Sequence, residues 1–199
     1  LDLSDFNTAN VTNMSNMFYE ADNLINLNIS SFDTSKVTNM THMFCDARKL
    51  SSLDLSNFDT SNVTNMRLMF DGANSLVNLN LSSFNTSNVT DMSYMFYEAK
   101  NLINLDLSNF DTSKVTNMER MFNIAEKITS LDLSNFDTSN VTDMSYMFSA
   151  ARSLSDINVS SFDTSNVTKM SGMFAYVPAT NLDLSNFDTA KTTNMYSMF

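Results

Sequence analysis

Glycine and proline are almost missing from this chain, which has 2 Gly and 1 Pro in 199 residues, far below average usage. With only Gly72 and Gly172 present, no Gly-rich loop can cradle a phosphate. The single cysteine, Cys45, excludes an internal disulfide framework and a cysteine-based metal site. It reads as an unreactive thiol at a variable position, and the lack of disulfides leaves the redox compartment open. The single histidine, His42 beside Met43, reads as a solvated surface residue and leaves acid–base catalysis poorly supplied. Basic residues are also scarce. Lys and Arg number 11 against 22 Asp and Glu, a formal net charge of -11, which argues against nucleic acid and against anionic membrane surfaces. No apolar run approaches the roughly 18 residues of a membrane helix, and no segment resembles a signal peptide. Leu1 and Phe199 both fall inside a repeated motif, so the chain reads as an excerpt of a longer protein.

What the chain does contain is one template copied many times. It is 43% hydrophobic, with 16 Met and 16 Phe, enough to bury a core. The triplet L-D/N-L, or a close variant, begins at Leu1, Leu27, Leu53, Leu79, Leu105, Leu131, Ile157 and Leu182, spaced by 26 residues and finally by 25. All 16 Phe fall on two positions of the repeat: the sixth, from Phe6 to Phe187, and the eighteenth, from Phe18 to Phe199. All 16 Met fall on the fourteenth and seventeenth, from Met14 and Met17 to Met195 and Met198. Such recurrence is the signature of a repeat architecture. The repeats are 1–26, 27–52, 53–78, 79–104, 105–130, 131–156, 157–181 and a partial 182–199, together one domain over 1–199. The stretch from Tyr176 to Asn181 loses one residue and holds Pro178, which predicts a local deletion rather than a linker.

Within a repeat, L-D-L-S alternates apolar and polar residues, the period of a strand with Leu53 and Leu55 inward and Asp54 outward. Val63, Met66, Met69, Phe70 and Ala73 recur at the spacing of one face of a short helix, with Thr64, or a nearby Ser or Asn, placed to cap it. Between them F-D-T-S-N reads as a turn. A single unit cannot bury its apolar face, but stacked units can, with their strands joined in a parallel sheet. Strands stack about 4.8 Å apart and packed helices about 8–10 Å apart, so helices on one side predict a stack curved with its sheet concave.

The unit recurs almost verbatim, as in LDLSNFDTSNVTDMSYMF at Leu131–Phe148. It resembles the BspA-like branch of the leucine-rich repeat superfamily of bacterial surface proteins over the whole chain. The resemblance implies an α/β fold, a single right-handed leucine-rich-repeat solenoid of eight coils of about 26 residues, with parallel strands on the concave face and short helices on the convex face. It also implies an extracellular location on a bacterial cell surface and adhesion to host proteins or other cells. It offers no catalytic residues.

Candidate sites follow from the polar columns. The second position, Asp2, Asn28, Asp54, Asn80, Asp106, Asp132, Asn158 and Asp183, stacks on one exposed line of the sheet, with Asp106 and Asp132 as the direct carboxylate neighbours. It reads either as a solubilising ladder or as a polar ligand-binding strip on the concave side. The seventh position, Asn7, Asp33, Asp59, Asn85, Asp111, Asp137, Asp163 and Asp188, reads as turn capping, with calcium as the alternative. Threonine columns run from Thr8 to Thr189 and from Thr12 to Thr193; they predict turn and cap hydrogen bonds rather than a flat ice-binding array. Arg48, Lys49, Lys100, Lys127 and Arg152 stand where they would favour a helix C-terminus. Variation concentrates on the outer side, at Arg67, Leu68, Tyr94, Glu119, Arg120, Tyr146 and Tyr196.

The expected function is a non-enzymatic cell-surface interaction scaffold, with an extracellular host or cell-surface protein or glycan as partner. No catalytic residue, metal or cofactor is expected, nor nucleic acid, nor membrane insertion of this segment. The alternative is a structural stalk or self-associating fibre whose ends stack. A hydrolytic enzyme would need a strongly perturbed carboxylate or serine in a deep pocket.

Overall fold

The computed structural model describes residues 1–199 except Asn181, the last residue of the seventh repeat, which lies outside the described residues. Successive repeats lie against one another in register and hydrogen-bond edge to edge, making a repeat solenoid. On the strand side the Asn28 N–H donates to Leu1 C=O (3.0 Å) and the Leu3 N–H to Asn28 C=O (2.9 Å). Pairing is longest between β1 (Ser130–Asp132) and β2 (Asp156–Asn158), parallel with Leu131 opposite Ile157. Asp2↔Asn28 and Asn78↔Asn104 are single parallel bridges in the same row.

The outer helices expected from the sequence do not form: no helix occurs among the described residues. An α-helix would send each N–H four residues back along its own segment. Here alternate N–H groups leave the segment altogether. Those of Met66, Leu68, Phe70 and Gly72 donate to Asp91, Ser93, Met95 and Tyr97 of the next repeat at 2.9–3.1 Å. Others between them close four-residue β-turns, Met69 onto Met66 and Ala73 onto Phe70. The alternation needs a left-handed residue at the sixteenth and twentieth positions, as at Leu68 (φ 55) and Gly72 (φ 62). Stacking explains the choice. Strand edges repeat at about 4.8 Å, too close for helices that pack about 8–10 Å apart, so each outer segment flattens into a ribbon of turns that stacks at the strand step. Apolar residues three to four apart still face inward, which is why the ribbon carries a helical period. Thr64 is accordingly no helix cap; its N–H donates to Thr38 C=O at 2.9 Å. The expected concave sheet rests on a wider helical side, and that premise falls with the helices.

A second parallel row therefore runs along the start of the ribbon, with bridges Asn13↔Asn39, Asn39↔Asn65, Asn65↔Asp91 and onward to Lys169↔Asn194. Between the two rows lies the core. Val63, Met66, Met69, Val89, Met92, Met95 and their equivalents in repeats two to seven are 0% exposed. The eighteenth-position rings form one spine, Phe44 to Phe70 to Phe96 to Phe122 to Phe148, at 5.7 Å between centroids and within 8° of parallel. Offset stacking adds about 0.5–1.5 kcal/mol per pair beyond burial. The buried sixth-position rings, such as Phe58 and Phe110, flank this spine.

Candidate functional site

The second-position column lies on the strand side with all eight residues exposed. Each caps its own turn. The Ser56 N–H donates to Asp54 Oδ1 (3.0 Å), Ser108 to Asp106 (3.0 Å), Ser134 to Asp132 (3.1 Å) and Ser185 to Asp183 (2.9 Å). Asn28, Asn80 and Asn158 accept the same bond from Ser30, Ser82 and Ser160. Hydrogen bonds from the serine two residues on hold the Asp2, Asp54, Asp106, Asp132 and Asp183 carboxyls below their ordinary range. They are ionised at neutral pH, and a carboxylate has acceptor capacity left after one such bond. Shallow depressions open along this column. One of about 180 Å³ is lined by Leu27, Asn28, Ile29, Ser30, Asp54, Ser56 and Asn57, and equivalents lie at Asn80–Asp106 and Asn158–Asp183. A wider one reaches from Ile103, 41% exposed, to Asp106 and Asp132.

The seventh position behaves as a turn cap. Ser35 N–H donates to Asp33 Oδ1 (3.0 Å) and Ser61 N–H to Asp59 Oδ1 (2.9 Å), with Ser113, Ser139 and Ser165 repeating the pattern. The sequence reading passed over a third capping column at the thirteenth position, where Asn65 accepts from the Arg67 N–H and Asp91 from the Ser93 N–H. The N-x-S/T/R spacing shared with the other two columns was the available signal. Among the described residues no group of three or more His, Cys, Asp or Glu is arranged to hold a metal ion.

Thr8, Thr34, Thr60, Thr86, Thr112, Thr138 and Thr164 are buried and splice adjacent repeats. Thr86 Oγ1 donates to Asp111 C=O (2.9 Å) and accepts from the Asp111 N–H (2.9 Å). The twelfth-position threonines stay on the surface and donate to the preceding repeat, as Thr90 does to Thr64 C=O (3.2 Å).

Without helices the cations of the twenty-second and twenty-third positions have no helix end to serve. Arg48 instead meets Asp46 (3.1 Å) and Asp22 (3.7 Å), Lys100 meets Glu98 (3.1 Å) and Lys49 reaches Asn23 (2.9 Å). On the ribbon side the variable residues form a stack of their own. Arg67 lies 5.1 Å from the Tyr94 ring, and Arg120 sits between Tyr94 (5.5 Å) and Tyr146 (4.9 Å). Tyr146 in turn covers Gly172, where a Cβ would come within 2.4 Å of the ring.

His42 is half-buried, and burial followed by the Arg67 charge lowers its pKa, so it is neutral at neutral pH. Burial pushes the Cys45 thiol up, and its Sγ donates weakly to Asp71 Oδ2 at 3.6 Å. Asp71 itself is raised to about 7, chiefly by burial. It is a perturbed carboxyl, but it lines none of the depressions of the strand side. Among the described residues no helix is long and apolar enough to cross a membrane.

No curated protein matches the chain. Among solved structures it is similar to the T. pallidum leucine rich repeat protein TpLRR, at 17% identity over 74% of this chain and 63% of that one, with a TM-score of 0.45. It is also similar to the functional domain of InlJ from Listeria monocytogenes, which includes a cysteine ladder, at 18% identity over 98% of this chain and 55% of that one, with a TM-score of 0.22. The chain thus spans less than two thirds of either protein. A family model matches at residues 1–104, 72–159 and 101–199, overlapping spans that cover the whole length, and the chain belongs to that family, described as "Mycoplasma protein of unknown function, DUF285".

Proposed function

We propose that this chain is a non-enzymatic interaction scaffold of a bacterial cell surface, a right-handed stack of eight leucine-rich-repeat coils of the BspA-like kind. Its contact surface is the strand side, along Asp2, Asn28, Asp54, Asn80, Asp106, Asp132, Asn158 and Asp183, and its partner is a host or cell-surface protein or glycan. The observation that carries the reading is the regularity of that column: eight outward polar side chains, each held by its own turn and repeated at the coil step. Such an array offers the same preorganised contact many times over, which favours multivalent adhesion. Replacing Asp54, Asp106 and Asp132 together by Asn tests it. Retention on immobilised matrix proteins and glycans should drop while the unfolding midpoint holds, because Asn caps the same turn in neighbouring repeats; undiminished retention removes the strand side as the contact surface. The in-register hydrogen bonding of each repeat onto the next supports a second reading, a structural module that stacks end to end. Light scattering separates the two, since mass that grows with concentration and without ligand belongs to the fibre.

A further inference from the structure

Two kinds of repeat are interspersed on the strand side after the first, which reads L-D-L-S-D-F. Repeats two, four and seven read L/I-N-x-S-S-F, whereas three, five, six and eight read L-D-L-S-N-F. In repeats two to eight Asn at the second position goes with Ser at the fifth, and Asp with Asn. The three equivalent depressions sit at the three steps from the first kind to the second: Asn28 to Asp54, Asn80 to Asp106 and Asn158 to Asp183. At the Asp132–Asn158 step the Asn158 Nδ2 donates backward to Asp132 Oδ1 at 2.9 Å, within a broader and more open depression lined by Ser130, Leu131, Asp132, Asp156, Ile157 and Asn158. In the forward direction the Asn oxygen is turned onto its own serine, Asn28 Oδ1 accepting from Ser30 N–H (3.2 Å) and Ser30 Oγ (2.9 Å). No side-chain bond joins Asn28 to Asp54 among the described residues, and both line the depression between them.

Each opening offers an ionised carboxylate, serine hydroxyls and an amide around an aliphatic floor at Leu27 and Ile29. Donors and acceptors are mixed. No Lys or Arg stands anywhere on the twenty-fourth to twenty-sixth or first to ninth positions. That set suits a ligand that both donates and accepts at every contact and carries no negative charge. The spacing narrows it further. The three Asn-to-Asp openings lie two and then three repeats apart, about 10 and 14 Å at the strand step, with wider depressions at Asp106–Asp132 and Asp132–Asn158 continuing the row between the last two. A sugar ring in an extended β-linked chain spans close to one such step, so its units stay in phase with the repeats. A bound peptide strand presents same-face side chains about every 6.6–6.8 Å and drifts out of phase.

We infer that the Asn-to-Asp steps are sugar subsites, which together take an extended β-linked glycan of neutral or amino sugars. This deepens the strand-side reading and rests on it. Isothermal titration with cellohexaose, chitohexaose and hexagalacturonate tests it, with poly-L-lysine as a cationic control. The wild-type chain should bind at least one of the two uncharged hexasaccharides and not the uronate. Asp54→Asn/Asp106→Asn/Asp183→Asn should weaken that binding about tenfold or more, as expected when bonds to charged acceptors are lost, with the unfolding midpoint unchanged. Asp59→Asn/Asp111→Asn/Asp188→Asn, on the seventh position, should bind as the wild type does. Silence of every hexasaccharide, tighter binding of the uronate, or a strand-side triple variant that binds sugar normally overturns the assignment, as does binding of poly-L-lysine alone. Should sugars fail while the strand-side variant still loses retention on matrix proteins, the scaffold reading survives and only the sugar class falls. If that variant loses neither, both fall.

Discussion

Asp71 carries the clearest residue-scale consequence of burial. Its folded pKa of about 7 exceeds the ordinary 3.8, so folding takes up a proton between those values. Asp71's contribution is therefore most favourable below the ordinary carboxylate range and is lost as pH rises toward about 7. Urea midpoints measured across that window should fall with pH more steeply in the wild type than in Asp71→Asn, and identical slopes would show the carboxyl to be solvated. At the core, Phe110 is 2% exposed, and Phe110→Ala should cost roughly 3–5 kcal/mol by chemical denaturation. Phe6, at 53% exposed, should cost much less. Gly172 has φ 58 and the Tyr146 ring over its Cα. Gly172→Ala would meet both a left-handed penalty of about 1–2 kcal/mol and the ring. It should lower the Tm, with Tyr146→Ala in the same chain recovering part of the loss.

At the scale of the element, the buried threonine column is the joint between turn and core. Thr86→Val would strand the N–H and C=O of Asp111 at once, at about 1–3 kcal/mol for each buried group left unpaired. Thr90→Val removes one exposed bond at 3.2 Å and should change the urea midpoint little. A similar loss in both would mean that the eighth-position hydroxyls do not bridge repeats. The strand and turn segments were legible in the sequence, because L-D-L-S alternates and Asp or Asn two residues before Ser announces its own bond. The outer segment was not. Val63, Met66, Met69, Phe70 and Ala73 have the period of a helix face, and periodicity reports only which residues point inward. It does not report whether an N–H bonds four residues back or to the next repeat. The chain did hold a clue in Leu68, Tyr94, Arg120 and Tyr146, residues poorly suited to the left-handed conformation they adopt, but only their coordinates reveal that conformation.

Across the whole molecule charge is sorted around the repeat. Thirteen carboxylates and no Lys or Arg occupy the twenty-sixth and first to ninth positions, while the other nine acids share the remainder with all eleven bases. Self-repulsion along the strand side should therefore oppose folding at low salt. Raising the ionic strength shortens the Debye length from about 30 Å at 0.01 M to about 10 Å at 0.1 M and should raise the Tm. Asp54→Asn/Asp106→Asn/Asp132→Asn should flatten that salt dependence, and a parallel slope in wild type and variant would place the repulsion elsewhere.

The repeat, its register, the inward columns of Phe and Met and the outward Asp and Asn column are all written in the residues. They depend on which side chains avoid water, and a periodic template states that directly. The form of the outer segment, the second bonded row, the buried threonine bridges and the openings at Asn-to-Asp steps were decided only when repeats met. The first three are hydrogen bonds between residues about 25 apart, and the openings are the space left between side chains of adjacent repeats; both are set by the common stacking distance of the whole coil and by nothing within the segment itself.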